Sequence, residues 1–219
     1  MLDLVPQLNH LHIILASASP RRKELLERLG LKFIVQPSNF DEDLDKSSFP
    51  DAAAYNVATA SGKLDDVRRQ LVKDGVPHDI VITCDTIVVP CDDLSVILEK
   101  ANTSDDASRM IHRLAGKSHF VYSALVVYFA ALDRTVVRIV QTEVEMAPVS
   151  AATVAAYVAH PEAWKGKAGA YGIQDLASSF IRGIKGDYYN VMGFPVCTFC
   201  EMLQETIAAH PEILSTTQE

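Results

Sequence analysis

The spacing of apolar and polar residues along this chain predicts strands that alternate with amphipathic helices. The apolar residues 12–15 predict a buried strand. A helix is predicted over residues 21–29, because Ser19 suits its N-cap, Pro20 suits its first position and Gly30 suits its end. The chain is therefore expected to begin with a strand, a short polar loop and a helix.

The same alternation continues to the other end of the chain. Further strands are predicted over residues 31–35 and 79–89, and helices over about 50–73, 104–114, 150–159 and 195–209. Two β-rich runs, residues 119–131 and 135–146, flank a short turn at Asp133 and so predict a hairpin. A glycine-rich stretch with short elements covers residues 166–193. The predicted fold class is α/β, with helices packed around a mixed β-sheet.

Composition narrows the class of protein. With 219 residues, 48% of them hydrophobic, the chain suits one globular domain over residues 1–219, with residues 1–10 as a short N-terminal extension. A net charge of −8 leaves no broad basic face for a nucleic-acid backbone, so an anionic ligand needs a local basic pocket. The first apolar run is too short for a signal peptide, and no run approaches the roughly 20 apolar residues that span a bilayer. We expect a cytoplasmic enzyme that binds neither nucleic acid nor membrane.

Four cysteines occur, and two of them form the C-x-x-C motif of Cys197 and Cys200. This spacing is compatible with zinc or redox chemistry. The motif lies, however, in the helix-like run P-V-C-T-F-C-E-M-L-Q-E-T-I, which favours buried structural thiols.

Ser17, Ser19, Arg21 and Arg22 lie where the first strand turns into the first long helix. Free backbone N–H groups and the positive end of the helix dipole meet the hydroxyl groups there, and an arginine can give a phosphate two parallel hydrogen bonds. The pattern predicts a phosphate site, with an ordinary capped helix and two solvated arginines as the alternative.

Asp85 lies inside an otherwise apolar strand, where an unpaired carboxylate would be costly. It is expected to meet a metal, a base or a substrate, unless it only caps a neighbouring turn. The acidic loop at residues 41–43 could supply Glu42 as a second carboxylate for Mg²⁺ or Mn²⁺, although such loops are more often solvated.

Other polar residues are candidates for the same site. Lys63 and Lys100 could neutralise a polyphosphate, although isolated lysines are usually exposed to solvent. The run K-A-G-A-Y-G-I-Q ends in Gln174, whose amide can both donate to and accept from the edge of a pyrimidine base. Its glycines allow close backbone approach, which a structural turn explains equally well.

Several of these motifs, taken in order, resemble the Maf (septum-formation-protein-like) family. They are I-L-A-S-A-S-P-R-R at 14–22, C-D-T-I-V-V at 84–89, I-L-E-K at 97–100, L-A-G-K-S-H at 114–119, K-A-G-A-Y-G-I-Q at 167–174 and N-V-M-G-F-P at 190–195. The resemblance covers nearly the whole chain. It implies an elongated, two-lobed α/β fold similar to inosine triphosphate pyrophosphatases, with the active cleft between the lobes and frequent homodimers.

The resemblance also implies roles for individual residues. Asp85 matches the family's catalytic aspartate, the proton acceptor for the attacking water. Arg21, Thr86 and Gln174 match the branch that acts on dTTP and UTP, whereas Glu42, Lys63 and Lys100 match positions that serve metal and phosphate. The chain departs from the family's usual residues at Leu64, Ala101, Gly166 and Phe194.

The expected activity is therefore hydrolysis of dTTP or UTP to the monophosphate and pyrophosphate, with Mg²⁺ or Mn²⁺ as cofactor. Two alternatives remain open at this point. One keeps the chemistry but changes the substrate to a modified nucleotide, such as 7-methyl-GTP or 5-methyl-UTP. The other is a regulator of cell division that binds nucleotide without turnover.

Overall fold

A computed structural model describes residues 1–215, and its strands form one six-stranded sheet. The strands are β1 (Ile13–Leu15), β2 (Ile34–Val35), β3 (Ile80–Pro90), β4 (Ser118–Phe129), β5 (Arg134–Met146) and β6 (Ile181–Lys185). The helices are α1 (Val5–Leu8), α2 (Pro20–Arg28), α3 (Ala52–Lys73), α4 (Ser104–Leu114), α5 (Ala151–Val158), α6 (Pro161–Trp164), α7 (Tyr188–Met192) and α8 (Val196–Ala209). Among the described residues, no helix is both long enough and apolar enough to cross a bilayer.

The sheet has the order β2-β1-β3-β4-β5-β6 and is mixed. Strands β2, β1 and β3 run parallel to one another, whereas β3 to β6 are successively antiparallel. The predicted α/β class with a mixed sheet flanked by helices is thus confirmed. The parallel half matters for the site, because ligands of such sheets bind beyond the carboxyl ends of the parallel strands.

Local signals in the sequence account for several elements. Helix α2 begins at Pro20, and the Ser19 side chain caps it by accepting a hydrogen bond from the Arg22 amide. Helix α4 occupies the predicted residues and begins with a capping box in which Thr103 and Asp106 bond each other's backbone. The hairpin between β4 and β5 turns through Asp133, whose φ of 44° is left-handed.

One prediction about the sheet needs correction. Strand β2 has two residues rather than the predicted run 31–35, because the Leu31 amide still bonds the Leu26 carbonyl and so completes the end of α2. Strand β6 is one of the short elements within the glycine-rich stretch 166–193. It adds to β5 through residues such as Ile184, opposite Val144.

The prediction of buried thiols at the C-x-x-C motif is wrong for Cys197. The motif does lie on helix α8, but the Cys197 side chain is exposed and Cys200 is half-buried. Residues three apart on a helix share a face only roughly, and the buried stripe of α8 is made by Phe199, Met202 and Leu203 instead.

The two faces of β3 pack against different layers. Val81 joins the cluster that α3 buries with Leu64 and Val67. Ile82, by contrast, belongs to the larger core on the other face of the sheet. Since strand side chains alternate between faces, odd-numbered residues of β3 point toward α3 and even-numbered residues point away from it.

His119 on β4 is fully buried, and its Nε2 atom lies 2.7 Å from the Tyr171 hydroxyl. Burial lowers the pKa of His119 from 6.5 to about 4. As the pH falls, His119 therefore binds a proton near pH 6.5 in the unfolded chain but only near pH 4 in the folded chain. The stability that the neutral imidazole contributes is complete above pH 6.5 and is lost as the pH falls through this window.

We therefore expect His119→Gln to lose less stability on acidification than the unaltered protein. The difference should approach about 3 kcal/mol between pH 7 and pH 4. Urea unfolding at several pH values measures it, and parallel losses in the two proteins would show that this histidine does not control the acid response.

Candidate active site

A cavity of about 360 Å³ opens beside the carboxyl end of β1. We call it the central cavity. Every predicted site residue except Gln174 lines it, namely Ser17, Ser19, Arg21, Arg22, Glu42, Lys63, Asp85, Thr86 and Lys100. Residues that are far apart in the chain thus meet at one place.

The unequal lengths of β1 and β3 create this meeting point. Strand β1 ends at Leu15, which pairs with Ile82, and the Ala16 amide still bonds the Ile82 carbonyl. Strand β3 continues past this point to Asp85. The chain after β1 is therefore free to turn into α2, and it brings Ser17 beside Arg22, which also contacts Thr86 of β3.

Asp85 is buried, with 5% of its surface exposed, and it forms an ion pair with an equally buried lysine. The Lys63 Nζ atom lies 2.6 Å from Asp85 Oδ1 and 2.9 Å from Glu42 Oε2. One ammonium group therefore sits between two carboxylates. Such a buried pair is stable only while all its members are present.

Glu42 is held by two lysines. Burial by itself would raise the pKa of Glu42, but the ammonium groups of Lys63 and Lys100 outweigh it and lower the pKa. Lys100 lies farther away, at 3.4 Å, and its side chain is 55% exposed. The cavity thus contains one buried cation, Lys63, and one largely exposed cation, Lys100, beside Glu42.

Asn56 is a site residue that the sequence did not reveal. Its side chain is fully buried, and its Nδ2 atom donates to Asp85 Oδ2 over 2.7 Å. Asn56 precedes Lys63 by two helical turns, so both side chains project from one face of α3. A polar residue at that spacing from a candidate lysine was the signal available in the sequence.

On the other face of β3, Thr86 contacts Arg22 of helix α2. Arg22 donates to the hydroxyl groups of Thr86 at 3.1 Å and Ser17 at 3.2 Å, and to the Gly193 carbonyl at 2.9 Å. The Thr86 hydroxyl also lies 2.9 Å from that of buried Ser123. Arg22 still has N–H groups beyond these three bonds, which keeps it available for an anion.

Arg21 points toward a different part of the chain. Its guanidinium donates to the carbonyls of Met192 and Gly166, each at 3.2 Å. Burial, followed by the neighbouring charge of Arg22, lowers the pKa of Arg21. Gly166 has a φ of 70°, a left-handed conformation that favours glycine at this position of the loop.

Gln174 lies in an adjoining depression that we call the outer pocket, which also contains Tyr188, Tyr189 and Arg21. The Gln174 side chain donates to Asp175 Oδ2 over 3.3 Å. Arg21 borders both the central cavity and the outer pocket, so the two spaces are neighbours. Gln174 therefore lies outside the central cavity, in a pocket that shares Arg21 with it.

A second buried ion pair supports the loop that carries Gln174, and it was not predicted either. Lys167 is 5% exposed and pairs with Asp175. Its ammonium group also donates to the carbonyls of Glu162 and Ala163, both over 2.8 Å. These bonds use all three donors of the lysine, so its role is to hold the loop.

The donor set can be tested for a divalent cation. Within residues 1–215, no group of three or more His, Cys, Asp or Glu side chains is close enough to enclose a metal ion. Mg²⁺, however, is usually bound by one or two carboxylates together with water and substrate phosphates. Glu42 and Asp85, both within 3 Å of the same Lys63 atom, fit a site of that kind.

Known proteins resemble this chain along most of its length. A family model described as "Maf-like protein" matches residues 12–206. The "dTTP/UTP pyrophosphatase" of Clostridium botulinum (strain Alaska E43) is 40% identical over 197 residues, which cover 89% of this chain and 99% of that protein. That of Alkaliphilus metalliredigens is 37% identical over 193 residues, covering 88% and 95%.

A human relative is larger. The "Probable bifunctional dTTP/UTP pyrophosphatase/methyltransferase protein" of Homo sapiens is 39% identical over 207 residues, which are 91% of this chain and 33% of that protein. The chain therefore spans only one part of the human protein. Since the family model covers most of the chain, and bacterial relatives match it along nearly their whole length, the chain belongs to the Maf family.

Proposed function

We propose that this chain hydrolyses dTTP or UTP to the monophosphate and pyrophosphate. The observation that carries the proposal is the position of Asp85, a buried acid that faces a cavity lined by six cationic side chains. An acid in such surroundings suits an acceptor for a proton from water that attacks a polyphosphate. The names of the relatives point to the same substrates.

In the proposed mechanism, Asp85 is the base. Lys63 and Asn56 donate to its two oxygens, so the carboxylate is arranged to accept a proton in its remaining lone-pair directions. Arg22, Lys63 and Lys100 offset the negative charge that develops on the pyrophosphate leaving group. Ser17 and the amide end of α2 complete the phosphate-binding surface.

A divalent cation, Mg²⁺ or Mn²⁺, would be held by Glu42 and Asp85 and would polarise phosphate oxygens. Glu42 suits this role because the lysines keep it ionised. Chelation followed by addition of either metal should abolish and then restore pyrophosphate release.

We propose that the outer pocket receives the pyrimidine base. Gln174 and Arg21 offer donors and an acceptor for its polar edge, while Thr86 lines the neighbouring central cavity. Tyr188 and Tyr189 are 40% and 42% exposed, and aromatic faces of this kind stack well on bases. Arg21, which borders both spaces, would contact either the base or the phosphates.

We further propose that the chain acts as a single catalytic domain in the cytoplasm, where nucleotide pools lie, and that it forms a homodimer. The four cysteines are free thiols, as is usual for a reducing compartment. Light scattering on the purified protein tests the dimer.

The function is tested by pyrophosphate release from a panel of triphosphates: dTTP, UTP, 5-methyl-UTP, CTP, GTP, ITP and 7-methyl-GTP. Release from dTTP and UTP above the others supports the proposal. Preference for 7-methyl-GTP or 5-methyl-UTP would reassign the substrate. Binding of dTTP without release from any compound would instead indicate a non-catalytic regulator.

Gly62 provides a prediction about the acidic loop. A Cβ atom at this helical position would lie 2.4 Å from the ring of Phe40, two residues before Glu42. Alanine favours a helix over glycine by about 1 kcal/mol. We therefore expect Gly62→Ala to change the free energy of unfolding little but to lower kcat about tenfold, because the displaced ring moves Glu42.

The neighbouring variant Ser61→Ala is the matched control and should retain full activity. Steady-state kinetics and urea unfolding of both variants make the comparison. Equal activity of the two would show that Phe40 moves without disturbing Glu42.

A further inference from the structure

We propose that Asn56 is a positioning residue that fixes the orientation of the Asp85 carboxylate. The inference rests on the proposed function, in which Asp85 accepts a proton from water. Asn56 contributes a hydrogen bond that holds the reacting carboxylate in place.

Each oxygen of the Asp85 carboxylate accepts a hydrogen bond from a different side chain. Lys63 Nζ holds Asp85 Oδ1 at 2.6 Å, and Asn56 Nδ2 holds Oδ2 at 2.7 Å. Both donor side chains project from α3, a helix of 22 residues. The terminal torsion of an aspartate is broad, so a single hydrogen bond would leave the carboxylate free to rotate. Two bonds to one rigid helix define the plane of the carboxylate.

The other end of the Asn56 amide shows that stability alone does not explain this residue. The Oδ1 atom is buried and has no hydrogen-bond partner. An unsatisfied buried acceptor of this kind costs about 1–3 kcal/mol. An apolar side chain would avoid that cost in a helix face that is otherwise packed against the sheet. The compensating feature is the bond to the charged oxygen of Asp85.

A direct consequence concerns kinetics. If Asn56 orients the base, its loss should lower the rate of the chemical step and leave nucleotide binding intact, since Asn56 does not line the central cavity. Partners that orient a reacting group in this way typically account for about 10- to 100-fold in activity.

The test uses Asn56→Leu and Asn56→Ala, with Thr59→Val as matched control. Thr59 is also fully buried on α3, and its hydroxyl bonds the Tyr55 carbonyl of its own helix. For each variant, kcat and KM for dTTP and UTP are measured together with the melting temperature. We expect kcat to fall about 10- to 100-fold in either Asn56 variant, with KM unchanged and full activity in Thr59→Val.

Other outcomes overturn the inference. Unchanged kcat in a folded Asn56 variant would do so, as would a rise in KM equal to the fall in kcat/KM. An equal loss of kcat in Thr59→Val would show that the helix is merely sensitive to any buried change. If Asn56→Leu does not fold, Asn56→Ala decides. If the unaltered chain hydrolyses neither nucleotide, the proposed function falls first and this inference with it.

Discussion

Asp85→Asn is expected to release pyrophosphate from dTTP at no more than about one hundredth to one ten-thousandth of the original rate, the usual contribution of a general base. The amide has nearly the same shape as the carboxylate but cannot take a proton from water. Because Lys63 retains Glu42 as a partner, the fold should persist. Steady-state kinetics, circular dichroism and calorimetric titration with dTTP measure activity, fold and binding.

Asp43→Asn is a suitable control, because Asp43 belongs to the same acidic loop but is exposed and does not line the central cavity. It should retain full activity. Normal turnover in Asp85→Asn would remove Asp85 from the role of base and would require another acceptor among the cavity residues.

Lys63→Met should damage both stability and turnover. Its ammonium group is the buried cation shared by Asp85 and Glu42, and the variant would leave the two carboxylates facing each other. Removing one member of a buried ion pair usually costs about 3–5 kcal/mol, and the lower end applies here because Glu42 is partly exposed. Without the ammonium group, kcat should also fall, since the leaving group loses a compensating charge.

Lys100→Met provides the comparison for stability. Lys100 contacts the same glutamate, but its side chain is largely exposed. Exposed ion pairs contribute about 0–1 kcal/mol, so the variant should unfold almost like the unaltered protein. Denaturant titrations of the two variants test this difference, and equal losses of stability would contradict the buried role of Lys63.

The sequence predicted the elements whose limits are set by local chemistry. Ser19 and Pro20 determine the start of α2, and a capping box determines that of α4. The central cavity was predictable for a related reason. Asp85 was recognised as an acid inside an apolar strand and Ser17 as a polar residue just after one, and the sheet brings these two neighbouring strands together.

The features that were missed depend on packing between distant segments. Nothing local marks Asn56 as the partner of Asp85, because that contact requires α3 to lie across β3 at one particular register. The exposure of Cys197 depends on which stripe of α8 meets the core. The position of Gln174 depends on a loop held by Lys167 and Asp175, a contact that spacing alone does not specify.

The alternation of side chains along β3 has a consequence for how such a protein can diverge. Asp85 and Thr86 are adjacent in the chain, yet one faces the lysines of the α3 side and the other faces Arg22 across the strand. A single mutation at position 86 can therefore reshape recognition while the backbone shields the base from the change. Under the proposed function, a substitution there would change the contact with Arg22 while Asp85 keeps its two donors, Lys63 and Asn56.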